Sequence, residues 1–224
     1  PDGLNLVVLS RTEPPPAYAR LRLHQDLRVL DGLELNLTQD EAIALVATRA
    51  SLPGTPSNAQ RVDQLLLETK GWIGGFNLLL AEGSDRDASG LSGKTQQLLF
   101  DYFATELFGH FDPPIQGALL RTALLPVMAL SDAEQISGDP AIGKVLAELH
   151  RQNCFVVQRG QVEPAYEFHA LFRAFLLSRA TAHIPADEWR ALQCRAAALL
   201  AESKQTEAAA GLYRAAEDWQ GLSA

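Results

Sequence analysis

Cysteine is nearly missing from this sequence: 224 residues contain two, Cys154 and Cys194, far apart and in no CxxC pair. That excludes a disulfide framework and gives no zinc motif, and a reduced, cytosolic setting is the expectation. Long apolar runs are missing too. None approaches the ~18 residues that a membrane span requires, and no basic, apolar, small-residue leader opens the chain. An excess of positive charge is also lacking. With 27 acidic against 19 basic residues the net charge is −8, which argues against a polyanion such as DNA as partner of the surface as a whole. There is no initiating Met: Pro1-Asp2-Gly3 runs straight into an apolar stretch, and a piece of something longer is expected. What is present is ordinary for a folded protein, 47% apolar and 21% charged residues, so disorder is excluded.

Leu4-Asn5-Leu6-Val7-Val8-Leu9 is β-branched and nearly unbroken in its hydrophobicity, the pattern of a strand buried on both faces of a parallel sheet. It ends at Ser10-Arg11, and Pro14-Pro15-Pro16 prevents an immediate helix. A lone parallel strand needs neighbours supplied by crossover connections, and these are expected upstream of Pro1. Leu33-Glu34-Leu35-Asn36-Leu37 alternates in period two, and Thr38-Gln39-Asp40-Glu41 has capping-box spacing. Helices follow: one with Ile43, Val46 and Ala47 inward, one capped by Ser57 with Val62, Leu65 and Leu66 inward, and one opened by Trp72 after Gly71. A polar, Gly-containing connector occupies 83–93. A long helix over 94–111 is predicted to bury Leu98, Leu99, Tyr102, Phe103 and Leu107. Next come a helix after Pro113-Pro114, a capping box at Ser131-Asp132-Ala133-Glu134, and a helix over 141–152. Strands over 154–158 and 165–168 complete the order of a winged helix. From Pro185 the chain is alanine-rich amphipathic helix. Trp189-Arg190-Ala191-Leu192 recurs as Trp219-Gln220-Gly221-Leu222, which suits the first helical pair of a repeat array.

Three features invite a chemical reading. Ala88-Ser89-Gly90-Leu91-Ser92-Gly93-Lys94-Thr95 fits a relaxed P-loop, in which amides wrap phosphates, a Lys reaches them and a hydroxyl holds magnesium. A P-loop follows directly on a strand, whereas the preceding apolar run here reads as helix, and no later run ends in the Asp that completes a metal site. The stretch reads as a linker ending at a helix start. Arg11 stands immediately after a buried-strand pattern, where ligands of open α/β sheets sit, and could donate to a phosphate. His169 falls between the strand Tyr166-Glu167-Phe168 and the helix Leu171-Phe172-Arg173, at a helix N-terminus that attracts anions; packing between Phe168 and Phe172 is the alternative. His24, His110, His150 and His183 show no ligand spacing, and no metal or catalytic residue is assigned. The helix over 141–152 carries Lys144, His150 and Arg151 but also Glu148, short of the basic stripe a DNA-reading helix needs.

In this order the segments resemble one family, the large ATP-dependent, MalT-like LuxR-type transcriptional activators of the STAND class of signalling NTPases. The resemblance rests on Leu6-Val7-Val8-Leu9-Ser10-Arg11, Leu21-Arg22-Leu23 through Leu27, Leu37-Thr38-Gln39-Asp40-Glu41-Ala42, Lys70-Gly71-Trp72 before Leu78-Leu79-Leu80, Asp101-Tyr102-Phe103, and Phe168-His169-Ala170-Leu171-Phe172-Arg173-Ala174-Phe175-Leu176. It implies a mainly α fold with four parts: the terminal strands of a P-loop NTPase sheet over 1–37, a helical domain and connector over 38–93, a winged helix over 94–182, and the start of TPR-like repeats over 183–224. It further implies nucleotide-binding roles for Arg11 as phosphate sensor, for Gly71 and Trp72 where relatives carry a Gly-x-Pro against adenine (Ile73 stands for the Pro), and for His169 as the histidine of a Met-His-Asp motif. Phe168 and Ala170 replace its Met and Asp. ATP or ADP with Mg would serve the full-length protein, a weak ATPase, with neither activity nor bound cofactor expected for this stretch alone. An inducer on the repeats, self-association when activated, and promoter DNA through a domain outside this chain are the implied partners; a membrane is not. Two other readings stand beside it: a free-standing winged-helix DNA-binding protein, and a small P-loop ATPase or kinase using Lys94.

Overall fold

The computed structural model describes residues 5–10, 14–30, 34–49, 59–81, 93–152, 154–160 and 163–223. After a short helix, α1 (Ala19–Leu23), regular structure begins in earnest at α2 (Gln39–Arg49). Its start is chemically defined. The Thr38 N–H donates to Glu41 Oε2 (2.9 Å) and the Glu41 N–H donates back to Thr38 Oγ1 (3.3 Å), the reciprocal capping that the spacing predicts. The buried face of α2 is Ala42 and Val46, while Ile43 is 43% exposed; the inward stripe is rotated from the one expected.

Helices α3 (Ala59–Thr69) and α4 (Ile73–Ala81) bury Val62, Leu65, Phe76, Leu79 and Leu80. In α5 (Gly93–Glu106) Leu99 and Phe103 are buried, whereas Leu98 and Tyr102 lie on the exposed side. An α-helix packed on one side can turn only one stripe inward, and the expectation that all four were internal asked for two.

The winged helix follows in its expected order, with one addition. Pro113 and Pro114 occupy the first turn of α6 (Pro113–Thr122), where their missing N–H groups cost nothing. Residues Met128–Ala129 then form β1, a short strand not expected from the sequence, and lead directly into α7 (Leu130–Ser137). Because β1 delivers the chain into the helix, Ala129 is the N-cap without a side-chain bond and Ser131 Oγ instead donates to Asp132 Oδ1. The capping box expected at Ser131 is therefore not used. Gly138, at φ 73°, closes α7 in the left-handed region that favours glycine. Next come α8 (Ile142–Arg151), β2 (Val156–Arg159) and β3 (Ala165–Phe168). The sheet is antiparallel in the order β1-β3-β2, with Met128 opposite Tyr166 and Val156 opposite Phe168. Helix α9 (Ala170–His183) leaves the sheet, and α10 (Ala186–Glu202), α11 (Thr206–Ala215) and α12 (Trp219–Ser223) complete the described chain.

The fold is thus mainly helical, with one small sheet. One continuous apolar core runs from Ala42 of α2 through Phe103, Leu119, Phe168 and Phe172 to Ala209 of α11. The two N-terminal stretches read as strands do not pair. Residues 5–10 carry no regular structure, and Leu6, Val7, Val8 and Leu9 are 73–93% exposed. Residues 34–37 are a turn and an extended lead into α2. A strand exists only through its ladder, and among the described residues neither stretch belongs to one.

Candidate functional site

Helices α3 and α4 are joined by a turn that two left-handed residues make possible: Lys70 at φ 47° and Gly71 at φ 79°. The Gly71 N–H closes back onto the Leu66 carbonyl (3.3 Å), satisfying a carbonyl at the end of α3. The Gly71 carbonyl in turn accepts from the Leu37 N–H (2.8 Å), so the lead into α2 is pinned to this corner. A Cβ at Gly71 would stand 2.9 Å from Asn36 Cβ and 3.0 Å from the Leu37 carbonyl oxygen. Glycine is required here both by φ and by the close approach.

From the other side the corner meets His169. This residue is the N-cap of α9: its Nδ1 accepts from the Leu171 N–H (3.3 Å), and its own N–H donates to the Phe155 carbonyl (2.7 Å). Its Nε2 lies 2.8 Å from the Thr69 carbonyl oxygen. A carbonyl only accepts, so Nε2 carries the proton, and because Nδ1 must itself accept, the ring is the neutral Nε2–H tautomer. Burial lowers the histidine pKa first. The bond to Thr69 raises it, Lys70 lowers it and Glu167 raises it, with a net value below the ordinary 6.5. The Thr69 carbonyl also accepts from the Trp72 N–H (2.9 Å), so the corner and the α9 cap share one acceptor.

Charge and ring packing reinforce the contact. Glu167 of β3 accepts from Lys70 Nζ (2.8 Å) and from Arg159 Nη2 of β2 (2.6 Å). Burial alone would push the Glu167 carboxyl up; the two cations overcome this and hold it below its usual range. Trp72 packs edge-on against Phe155 (4.9 Å between centroids) and His169 (6.5 Å), with Tyr102 and Phe103 of α5 behind it. Phe155 adopts φ 58°, a costly backbone for an aromatic residue, and it touches Trp72, Phe103, His169 and Phe172. One turn along α9, Arg173 donates Nε to the Ala123 carbonyl (2.8 Å) and Nη2 to the Leu124 carbonyl (3.0 Å), covering the C-terminal end of α6.

Three of the four residues singled out in the sequence therefore meet at one junction: Gly71 and Trp72 on the corner, His169 on the sheet-to-helix turn. The fourth, Arg11, lies outside the described residues. Lys94 belongs to the first turn of α5; the run before the Gly/Ser stretch is a helix, α4, and residues 82–92 lie outside the described residues. On α8, Arg151 pairs with Glu148, and the His150 Nδ1–H donates to the Val156 carbonyl (3.2 Å). Lys144 is the helix's remaining base, so the helix offers no basic stripe. Among the described residues no cluster of His, Cys, Asp and Glu could hold a metal, and no helix is long and apolar enough to cross a membrane.

Sequence reasoning missed Thr69, Lys70, Phe155, Glu167 and Arg173. Thr69 and Phe155 act through backbone carbonyls, which leave no trace in residue type. Glu167, a lone carboxylate between Tyr166 and Phe168 in a strand, was the available signal.

The comparisons with known proteins bear on the same segment. The family described as the MalT winged helix domain matches residues 104–188, from within α5 to the start of α10. The HTH-type transcriptional regulator MalT of Serratia proteamaculans is 29% identical over 185 residues, 80% of this chain and 20% of that protein. Its counterpart in Yersinia enterocolitica is also 29% identical, and that of Yersinia pestis 28%, with the same coverage. The chain spans about a fifth of the length of the curated relatives it matches. Helix order, the β1-β3-β2 sheet and the match over 104–188 together show a MalT-type winged-helix domain from within α5 to the start of α10, in a chain similar to the MalT regulators over 80% of its length.

Proposed function

We propose that this chain is the coupling segment of an ATP-dependent, inducer-activated transcriptional activator, relaying nucleotide state to self-association and promoter binding. The observation that carries the reading is the junction at Thr69-Lys70-Gly71-Trp72. There the lead into α2, the α3–α4 corner and the winged helix are joined by three contacts: Leu37 to Gly71, His169 to Thr69, and Glu167 to Lys70. In this reading residues 1–37 end the nucleotide-binding domain, 38–93 are the helical domain and connector, 94–182 the winged helix, and 183–224 the first helices of TPR-like repeats.

A nucleotide phosphate takes N–H donors and cationic groups, and the junction holds both kinds, the Nε2–H of His169 and the Lys70 ammonium. This donor chemistry supports a phosphate-binding role for the junction, with Arg11, outside the described residues, as the further donor in this reading. When bound, the nucleotide supplies negative charge that competes with the Thr69 carbonyl and Glu167 for the same donors. This chain's part is to hold the winged helix against the α3–α4 corner, through one histidine hydrogen bond and one ion pair, and to release it. Contacts of this kind are worth on the order of 1–3 kcal/mol, enough to bias a two-state equilibrium without locking it.

The route toward the repeats runs through Arg121 of α6, whose Nη2 meets Glu188 of α10 at 3.3 Å. It continues through Arg195 Nη2 on the Gln135 carbonyl (2.8 Å) and Gln205 Nε2 on the Val127 carbonyl (3.1 Å). An inducer acting on the repeats would pull on these bonds. The test is transcription from a target promoter by the full-length protein without inducer. His169→Ala is expected to raise it, and unchanged basal transcription counts against the clamp.

A further inference from the structure

The neutral ring of His169 has an arrangement that only one protonation state satisfies. Nδ1 accepts from the Leu171 N–H at 3.3 Å, and Nε2 donates to the Thr69 carbonyl at 2.8 Å. A second proton would sit on Nδ1 and turn an N–H toward the Leu171 N–H, leaving two part-buried donors facing each other. Such a contact loses the N-cap bond and leaves polar groups unpaired.

The charged groups around the ring come from every element packed on it. Lys70 stands on the α3–α4 turn, beside the Thr69 acceptor. Glu167 on β3 bears on the ring's charge, but it is already held by Lys70 and by Arg159 of β2. Arg173, on α9 itself, is committed to the Ala123 and Leu124 carbonyls. The remaining neighbours, Trp72 and Phe155, are aromatic faces. Glu167, the one carboxylate among the described residues whose charge bears on the ring, is thus already engaged by two cations.

The geometry points to a proton-operated latch: uptake of one proton by His169 releases the β3–α9 corner of the winged helix from the α3–α4 corner, exposing Trp72 and Phe155. The device belongs to the chain alone and needs no nucleotide. It makes the junction hold at neutral pH and open in mild acid. Burial of the ring lowers the histidine pKa from 6.5. The contact is therefore fully present above that value and is lost as pH falls through and below it. With a single proton linked, the opening constant rises by up to about tenfold per pH unit between the ordinary value of 6.5 and the lower value of the closed junction, and levels off below it.

The experiment uses the chain without nucleotide, in a Trp189→Phe/Trp219→Phe background that leaves Trp72 as the sole tryptophan. Trp72 emission and far-ultraviolet circular dichroism are followed from pH 8 to pH 5, with histidine ring nitrogens observed by NMR on 15N-histidine-labelled protein. The expected result has three parts. His169 is in the Nε2–H form at pH 8, Trp72 emission shifts to longer wavelength as this residue titrates, and helical signal is kept. His169→Gln, which can donate from Nε2 and accept at Oε1 but gains no charge, is expected to keep the short-wavelength emission and lose the pH step. The proposal is overturned if emission stays flat while His169 titrates, if the step survives in His169→Gln, or if helix is lost in the same step.

Discussion

Lys70 and Glu167, ninety-seven positions apart in the chain, meet at 2.8 Å and tie the α3–α4 turn to the sheet of the winged helix. The carboxylate is the more buried partner, with its side chain 18% exposed against 46% for Lys70. Its second cation, Arg159, comes from the neighbouring strand. The network therefore belongs both to the wing and to the junction.

Glu167→Gln removes both ion pairs while keeping the shape. Half-exposed partners limit the loss to about 1 kcal/mol in urea unfolding at neutral pH, and the difference from the parent should shrink in 1 M salt. The sign in acid follows from the carboxyl's depressed pKa. Its stabilisation is present above the ordinary value of 4.5 and is lost as pH falls through the lower folded value. The parent should lose stability over that range and the variant should lose less; equal acid profiles would remove Glu167 from the account.

Gly71→Ala is expected to be costly for two reasons that add. The backbone sits at φ 79°, and the new methyl would stand 2.9 Å from Asn36 Cβ. A loss of about 1–3 kcal/mol is expected from the strain alone. Amide exchange should show it locally as loss of protection at Leu37, whose N–H donates to the Gly71 carbonyl. Unchanged protection at Leu37 would mean the corner does not hold the lead into α2.

Arg173→Met keeps the length of the side chain and strips two carbonyls of their donor. Ala123 and Leu124 are buried and follow the last turn of α6. Leaving them unpaired should cost about 2 kcal/mol. Lys in the same place can restore one bond but not the fork, so Arg173→Lys should fall between. If Met and Lys behave alike, the guanidinium geometry is not what matters.

Calorimetric titration of ATP or ADP with magnesium into the chain is expected to show no binding tighter than the millimolar range, with or without Lys94→Ala. The run before the Gly/Ser stretch is a helix, Ile73–Ala81, where a phosphate-binding loop needs a strand. Micromolar affinity abolished by Lys94→Ala would reinstate that loop and displace the coupling reading.

Much of the helical architecture was legible because its signals are local. The Thr38/Glu41 capping pair, the double proline opening α6 and Gly71 closing α3 each act within a turn or so of chain. The order of three helices and a β2–β3 ribbon followed from periodicity. What failed were features whose cause lies elsewhere in the molecule. Leu98 read as core but is 57% exposed, and Tyr102, 40% exposed, sits at the rim of the core against Trp72. Strand β1 has two residues and exists only because β3 pairs with it. The apolar run over residues 5–10 reads as a buried strand yet stands exposed, since no described strand lies beside it.

The same division holds at the junction. Sequence alone set which residue types stand at each position: glycine where φ is left-handed, histidine between a strand and a helix, tryptophan after the glycine. It could not set their partners. The acceptor for His169 is a backbone carbonyl one hundred positions away, present in every residue type and so invisible in any pattern. Tertiary packing chose Thr69 for it, and in doing so fixed the tautomer of the ring, because two ring nitrogens given one donor and one acceptor can satisfy both in only one way.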